Sequence, residues 1–214
     1  MADKQPEAVP EISLPVTKSE KAIIAAARSL FLERGCAAVS MDDIARVAGV
    51  ARQTIFNRFK TKDGVFRVMI GDHWANWGQA APMEAVPFEA PVEDHLRALA
   101  RSIAAFQNDT QHLQFQRLVV EESRHTDWIG PAAYQMGKRP KMKALAAGIA
   151  VMHQAGRLYC EHPEIAAWQF VGLVQEFVVW PKLMAIEAPE DIPPADIVIE
   201  EAIRTFMARY GPRK

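Results

Sequence analysis

The chain has 214 residues, half of them hydrophobic, and a formal net charge of −1 at pH 7. That length allows one large domain or two small ones with a sizeable core, and no run approaches the ~20 consecutive apolar residues of a membrane span. The N-terminus lacks an apolar signal core, and Cys36 and Cys160 form no metal-ligand spacing, so no membrane, inert thiols and a cytoplasmic location are expected.

The charge is unevenly placed. Residues 18–67 carry ten Lys and Arg against five Asp and Glu, whereas residues 68–214 carry 14 against 18. A basic segment inside an acidic chain suits phosphate binding at that segment alone.

Residues 1–16 hold Pro6, Pro10 and Pro15 with scattered acids and no Arg, which predicts a disordered arm. Thr17 and Glu20 form a capping box that opens helix 1, whose apolar period is Ile23, Ile24, Ala27, Leu30 and Phe31 before Gly35 ends it. Ser40 caps helix 2, with Asp43 in the box position and Ile44, Ala45 and Ala48 on one face. Gly49 stands where the helix must stop and turn, and Val50 points inward. Arg52 to Phe59 forms helix 3, with Ile55 and Phe59 four apart on its buried side. Arg52, Gln53, Asn57 and Arg58 then face outward. This is a helix-turn-helix, and it predicts a DNA reader.

Thr61 caps a fourth helix that runs to about Trp77. Pro82, Pro87 and Pro91 mark a connector. Further helices are expected over 92–108, 111–124 and 127–155, with Pro140 kinking or splitting the last. Pro163 and Glu164 suit a helix start, and the apolar run that follows reaches about residue 186 with a kink at Pro181. After a loop over 187–196, the final helix covers about 195–210. No strand pattern appears, so the fold class is all-α. The expected domains are the arm, a helix-turn-helix domain over 17–62, and a helical effector-binding and dimerisation domain over 63–214 in which 63–78 is a linking helix.

Residues 40–66, SMDDIARVAGVARQTIFNRFKTKDGVF, resemble the TetR/AcrR family of bacterial transcriptional regulators. The resemblance implies an N-terminal three-helix helix-turn-helix domain and a larger C-terminal helical ligand-binding and dimerisation domain. It implies a repressor that binds a palindromic double-stranded operator as a homodimer and is released by a small lipophilic effector. By position, Ser40 and Lys62 would hold phosphates, and Gln53 and Thr54 would approach bases. Phe56 stands where the family has a Tyr that bonds phosphate, and Ala51 where it often has a capping Ser.

Within this frame Gln53 and Asn57 share a face and suit adenine, Arg52 suits guanine, and Arg58 near the helix end suits phosphate. The effector pocket that the resemblance implies draws its aromatic residues from Trp74, Trp77, Phe106, Phe115, Trp128, Tyr134 and Trp168. The last two long helices are too apolar to cover one face, and the implied dimer interface takes Phe170, Val174, Phe177, Ile199, Ile203 and Phe206 from them. No nucleophile elbow, metal spacing, phosphate loop or carboxylate pair supports an enzyme or a cofactor. A helical small-molecule-binding protein or enzyme without a DNA role would leave the helix-turn-helix unexplained. A regulator with a protein effector, or none, is the third reading.

Overall fold

The computed structural model describes residues 14–77, 86–106, 110–186 and 192–212, apart from the side chains of Asn76, Trp77 and Phe106. In chain order the helices are α1 (Lys18–Arg34), α2 (Met41–Ala48), α3 (Arg52–Phe59), α4 (Lys62–Trp77), α5 (Val92–Phe106), α6 (Thr110–Glu122), α7 (Ile129–Ala133), a π-helical turn (Tyr134–Lys138), α8 (Arg139–Gln154), α9 (Pro163–Val178), α10 (Trp180–Leu183) and α11 (Ala195–Tyr210). Among the described residues there is no strand, as the all-α reading expects. None of these helices is long and apolar enough to cross a membrane. No cluster of His, Cys, Asp and Glu suited to a metal occurs among the same residues. Most of the expected arm, residues 1–13, and part of the loop, residues 187–191, lie outside the described residues.

The chain forms two compact units. The first comprises Met1–Gln79 with Leu118–Lys138, and the second Ala80–Arg117 with Arg139–Lys214. The expected division at residue 62 therefore falls inside the first unit. The cause is the apolar face of α4. Val65, Phe66, Met69 and Ile70 are buried with Ile23, Ile24, Phe31, Ile44, Ile55 and Phe59 of α1–α3. Full burial of each such side chain contributes about 1.5–3 kcal/mol, so α1–α3 without α4 would lose much of their core. Phe31 and Phe66 meet edge to face at 5.5 Å, and Phe66 meets Trp128 at 6.1 Å, which ties the 118–138 segment to the same core. Arg28 of α1 and Asp72 of α4 add an ion pair at 2.6 Å.

The second unit packs α5, α8, α9 and α11 around Leu96, Ala100, Leu145, Ile149, Phe170, Val174, Ile203 and Phe206. Phe170 and Phe206 are edge to face at 5.4 Å. Arg97 of α5 grips both oxygens of Glu200 on α11 at 2.6 and 2.9 Å. Arg117 donates to the carbonyls of Leu183 and Lys182, satisfying the C-terminal end of α10.

Proline shapes two breaks. Pro140 has no N–H and its ring would clash with the carbonyl four residues back, at Met136. The helix resolves this by widening into the π turn over Tyr134–Lys138 before α8 begins, a form of relief that the expected kink did not specify. Near Pro181, where a kink is expected, the helix is interrupted at the single residue Val179: α9 ends at Val178 and the short α10 starts at Trp180.

Candidate nucleic-acid interface

Both helices of the reading pair are set by local chemistry. The Ser40 hydroxyl accepts from the Asp43 N–H at 3.1 Å and donates to Asp43 Oδ2 at 2.6 Å, while the Ser40 N–H donates back to Oδ2 at 3.1 Å. The Ser40 hydroxyl and N–H bonds to Oδ2, followed by Arg46, hold the Asp43 carboxyl down to about 2. Gly49 adopts the left-handed conformation (φ 65°, ψ 34°), which a side chain would strain, and its N–H returns to the last turn of α2. Val50 N–H then donates to Ala45 C=O at 3.1 Å, closing the turn. Helix α3 starts at Ala51 with no side-chain cap. Its attachment rests on Ile55 and Phe59, which are buried.

The outward side of α3 carries Arg52, Gln53, Thr54 and Asn57, all exposed, with Phe56 half-buried between them. Gln53 Nε2 donates to Asn57 Oδ1 at 2.7 Å, so the two amides stand together one turn apart. Arg52 Nε lies 3.1 Å from Asp42 Oδ1, and its guanidinium sits 5.1 Å from the centre of the Phe56 ring. Asp42 is the partner that sequence reading missed; the one available signal was a carboxylate in the first turn of α2.

Two residues expected to hold phosphate have partners inside the unit. Arg58 Nε pairs with Glu20 Oε1 of α1, and its guanidinium lies 5.7 Å from the Phe59 ring centre. The Thr17 and Val16 N–H groups, and then Arg58, hold the Glu20 carboxyl down to about 2. Lys62 Nζ donates to the carbonyls of Cys36 and Val39 at 2.5 and 3.0 Å. The Cys36 N–H donates in turn to Glu122 Oε1 at 2.9 Å. The α1–α2 connection is thus held from both sides, a role for Lys62 and Glu122 that no local spacing announces. Burial pushes the Cys36 thiol up to about 12, which suits an inert side chain.

The expected pocket residues do not gather in one unit. Trp74, Trp128 and Tyr134 belong to the first, and Phe115 and Trp168 to the second. The side chains of Trp77 and Phe106 lie outside the described residues. Trp128 is engaged in packing: the Arg67 guanidinium lies 3.7 Å from its ring centre and its Nε1–H donates to Asp63 at 3.4 Å. Phe115 is buried, while Tyr134 and Trp168 are exposed.

The expected dimer residues divide sharply. Phe170, Val174, Ile199, Ile203 and Phe206 are at most 5% exposed in the single chain, so the subunit's own core takes them. Phe177 is 41% exposed, and with it Ile165, Trp168, Trp180 and Ile197 are left on the surface of α9–α11.

Two family descriptions match the chain. "AefR-like transcriptional repressor, C-terminal domain" matches residues 94–212, and "Bacterial regulatory proteins, tetR family" matches residues 23–69. The HTH-type transcriptional repressor BepR of Brucella suis biovar 1 (strain 1330) is 28% identical over 171 residues, covering 75% of this chain and 79% of BepR. The solved structure of the Flavonoid-responsive Regulator FrrA is similar with a TM-score of 0.79 and 26% identity, covering 92% of this chain and 99% of FrrA. A TetR transcriptional regulator from Agrobacterium tumefaciens shares the fold with a TM-score of 0.71 and 22% identity, over 93% of this chain and 97% of that one. The surface built on α2 and α3 therefore has its family: the chain belongs to the TetR family and is a DNA-binding transcriptional regulator rather than an enzyme.

Proposed function

We propose that this regulator is a homodimeric repressor of a palindromic operator, released when a small lipophilic effector enters its second unit. The observation that carries the DNA half of the reading is the exposed row of Arg52, Gln53, Thr54 and Asn57 on α3, held on a buried Ile55–Phe59 base. Amide and guanidinium groups match base edges in the major groove. One short helix reads too few base pairs to be selective, and two copies on a two-fold axis read half-sites a helical turn or more apart. Dimerisation draws on the exposed Ile165, Trp168, Phe177, Trp180 and Ile197 of α9–α11. Scattered single apolar residues are ordinary on a surface, but five on adjoining helices fit a contact between copies.

The sign of regulation follows BepR, a repressor, and the repressor description matched over 94–212. An aromatic effector follows FrrA, whose name states a response to flavonoids. The test is a gel shift on the intergenic DNA beside the protein's own gene, followed by calorimetric titration of a flavonoid series with and without the shifted duplex. Coupling is reciprocal, so the operator must weaken the effector by the factor by which the effector weakens the operator. Equal effector affinity in both titrations would remove the release mechanism.

A further inference from the structure

The Asp42–Arg52 pair has no strong structural purpose. Both side chains are well exposed, at 59% and 65%, and an exposed ion pair contributes little to stability because water screens it. Yet two groups flank one guanidinium. Asp42 Oδ1 engages Nε at 3.1 Å from α2, the half-buried Phe56 ring lies beneath at 5.1 Å, and position 52 opens the recognition helix. The terminal nitrogens of this guanidinium have the spacing of the O6 and N7 of guanine.

The carboxylate also favours a base edge over a phosphate. A backbone phosphate drawn to Arg52 would bring a second negative charge beside Asp42. A base edge carries no such charge, and the cytosine amino group of a G·C pair is a donor that a carboxylate accepts. Recognition helices of this motif present their N-terminal residues to base edges, where Arg52 sits. With α3 taken as the reading helix, we propose that Arg52 specifies a guanine in each half-site and that Asp42 is its positioning residue, with Phe56 as the shelf. The absence of a hydroxyl at Phe56 then has a use: its ring supports the reader in place of bonding a phosphate.

The test uses the full chain. A randomised duplex library gives the preferred site, and anisotropy titrations at several salt concentrations compare that site with one whose guanine is replaced by 7-deazaguanine, which lacks the N7 acceptor. The unmodified protein should enrich one guanine per half-site and discriminate against its replacement by between about fivefold and a hundredfold, the range of a bidentate pair. Arg52→Ala should lose that guanine and leave the salt slope unchanged. Asp42→Asn should lower the discrimination severalfold at unchanged thermal midpoint, a loss that a merely structural pair would not produce. The assignment is overturned if Arg52→Ala keeps the guanine and reduces the slope by about one, the mark of a phosphate contact. It is equally overturned if Asp42→Asn discriminates as before. If Gln53→Ala alters the preferred site and Arg52→Ala does not, only the Arg52 assignment falls. If neither alters it, α3 is not the reading helix and both readings fall.

Discussion

The indole of Trp74 occupies the space that a side chain at Gly137 would need. A Cβ built at Gly137 would lie 2.3 Å from the Trp74 ring, closer than real contacts allow. The π turn can approach α4 only because position 137 is bare. Gly137→Ala should therefore cost about 1–3 kcal/mol through overpacking, read as a lowered urea midpoint. Gly172→Ala, where a Cβ meets nothing within 4 Å, is the matched control and should be neutral or stabilising.

Lys62→Met separates two roles. Its ammonium holds the Cys36 and Val39 carbonyls, and a hydrogen bond from a charged donor is worth about 1.5–3 kcal/mol. Stability should fall by that order while the salt slope of DNA binding stays where it was. A slope reduced by about one at unchanged stability would instead restore the phosphate role that the family resemblance implied.

Acid should loosen the entries to α1 and α2. Glu20 and Asp43 are held down to about 2, from ordinary values of 4.5 and 3.8. A folded-state value below the unfolded one means that the stabilisation is present above about pH 4.5 and is lost as the pH falls towards 2. The variants Glu20→Gln and Asp43→Asn should each flatten the acid limb of a stability–pH curve in that window. An unaltered limb would show that the caps do not govern it.

The residues of α9–α11 should part into two classes. Phe206→Ala removes a fully buried ring and should cost about 3–5 kcal/mol. Phe177→Ser and Trp168→Ser touch exposed positions and should leave the subunit fold intact while weakening self-association in sedimentation velocity. Unchanged association in both serine variants would place the contact between copies elsewhere.

What the sequence discloses and what it hides follow from range. Helices α1 and α2 were legible because their ends are decided within four residues, by Thr17 with Glu20, Ser40 with Asp43, and Gly49. The exposed reading row was legible for the same reason, since Ile55 and Phe59 fix which side of α3 is buried. The partners of Arg58 and Lys62, which are Glu20, Cys36 and Val39, were not legible because they lie 23 to 38 residues away. A local pattern says that a cation faces out, and it does not say that another helix supplies an acceptor. The last helices failed differently. Their apolar residues cover most sides, so periodicity could not divide core from exposed surface, and Phe170 and Phe177 looked alike. Pro140 announced a break, but the π turn that relieves it depends on the fit of Gly137 under Trp74.

The hold on the α1–α2 connection has a consequence for how this chain can vary. Glu122 takes the N–H of Cys36 and Lys62 takes the carbonyls of Cys36 and Val39, all main-chain groups. The side chain at position 36 contributes none of these bonds, and any small residue that fits its buried site keeps them. Glu122 and Lys62 have no such latitude, because these bonds come from their side chains. Substitution should therefore be tolerated at the thiol and resisted at the two charged residues that hold its main-chain groups.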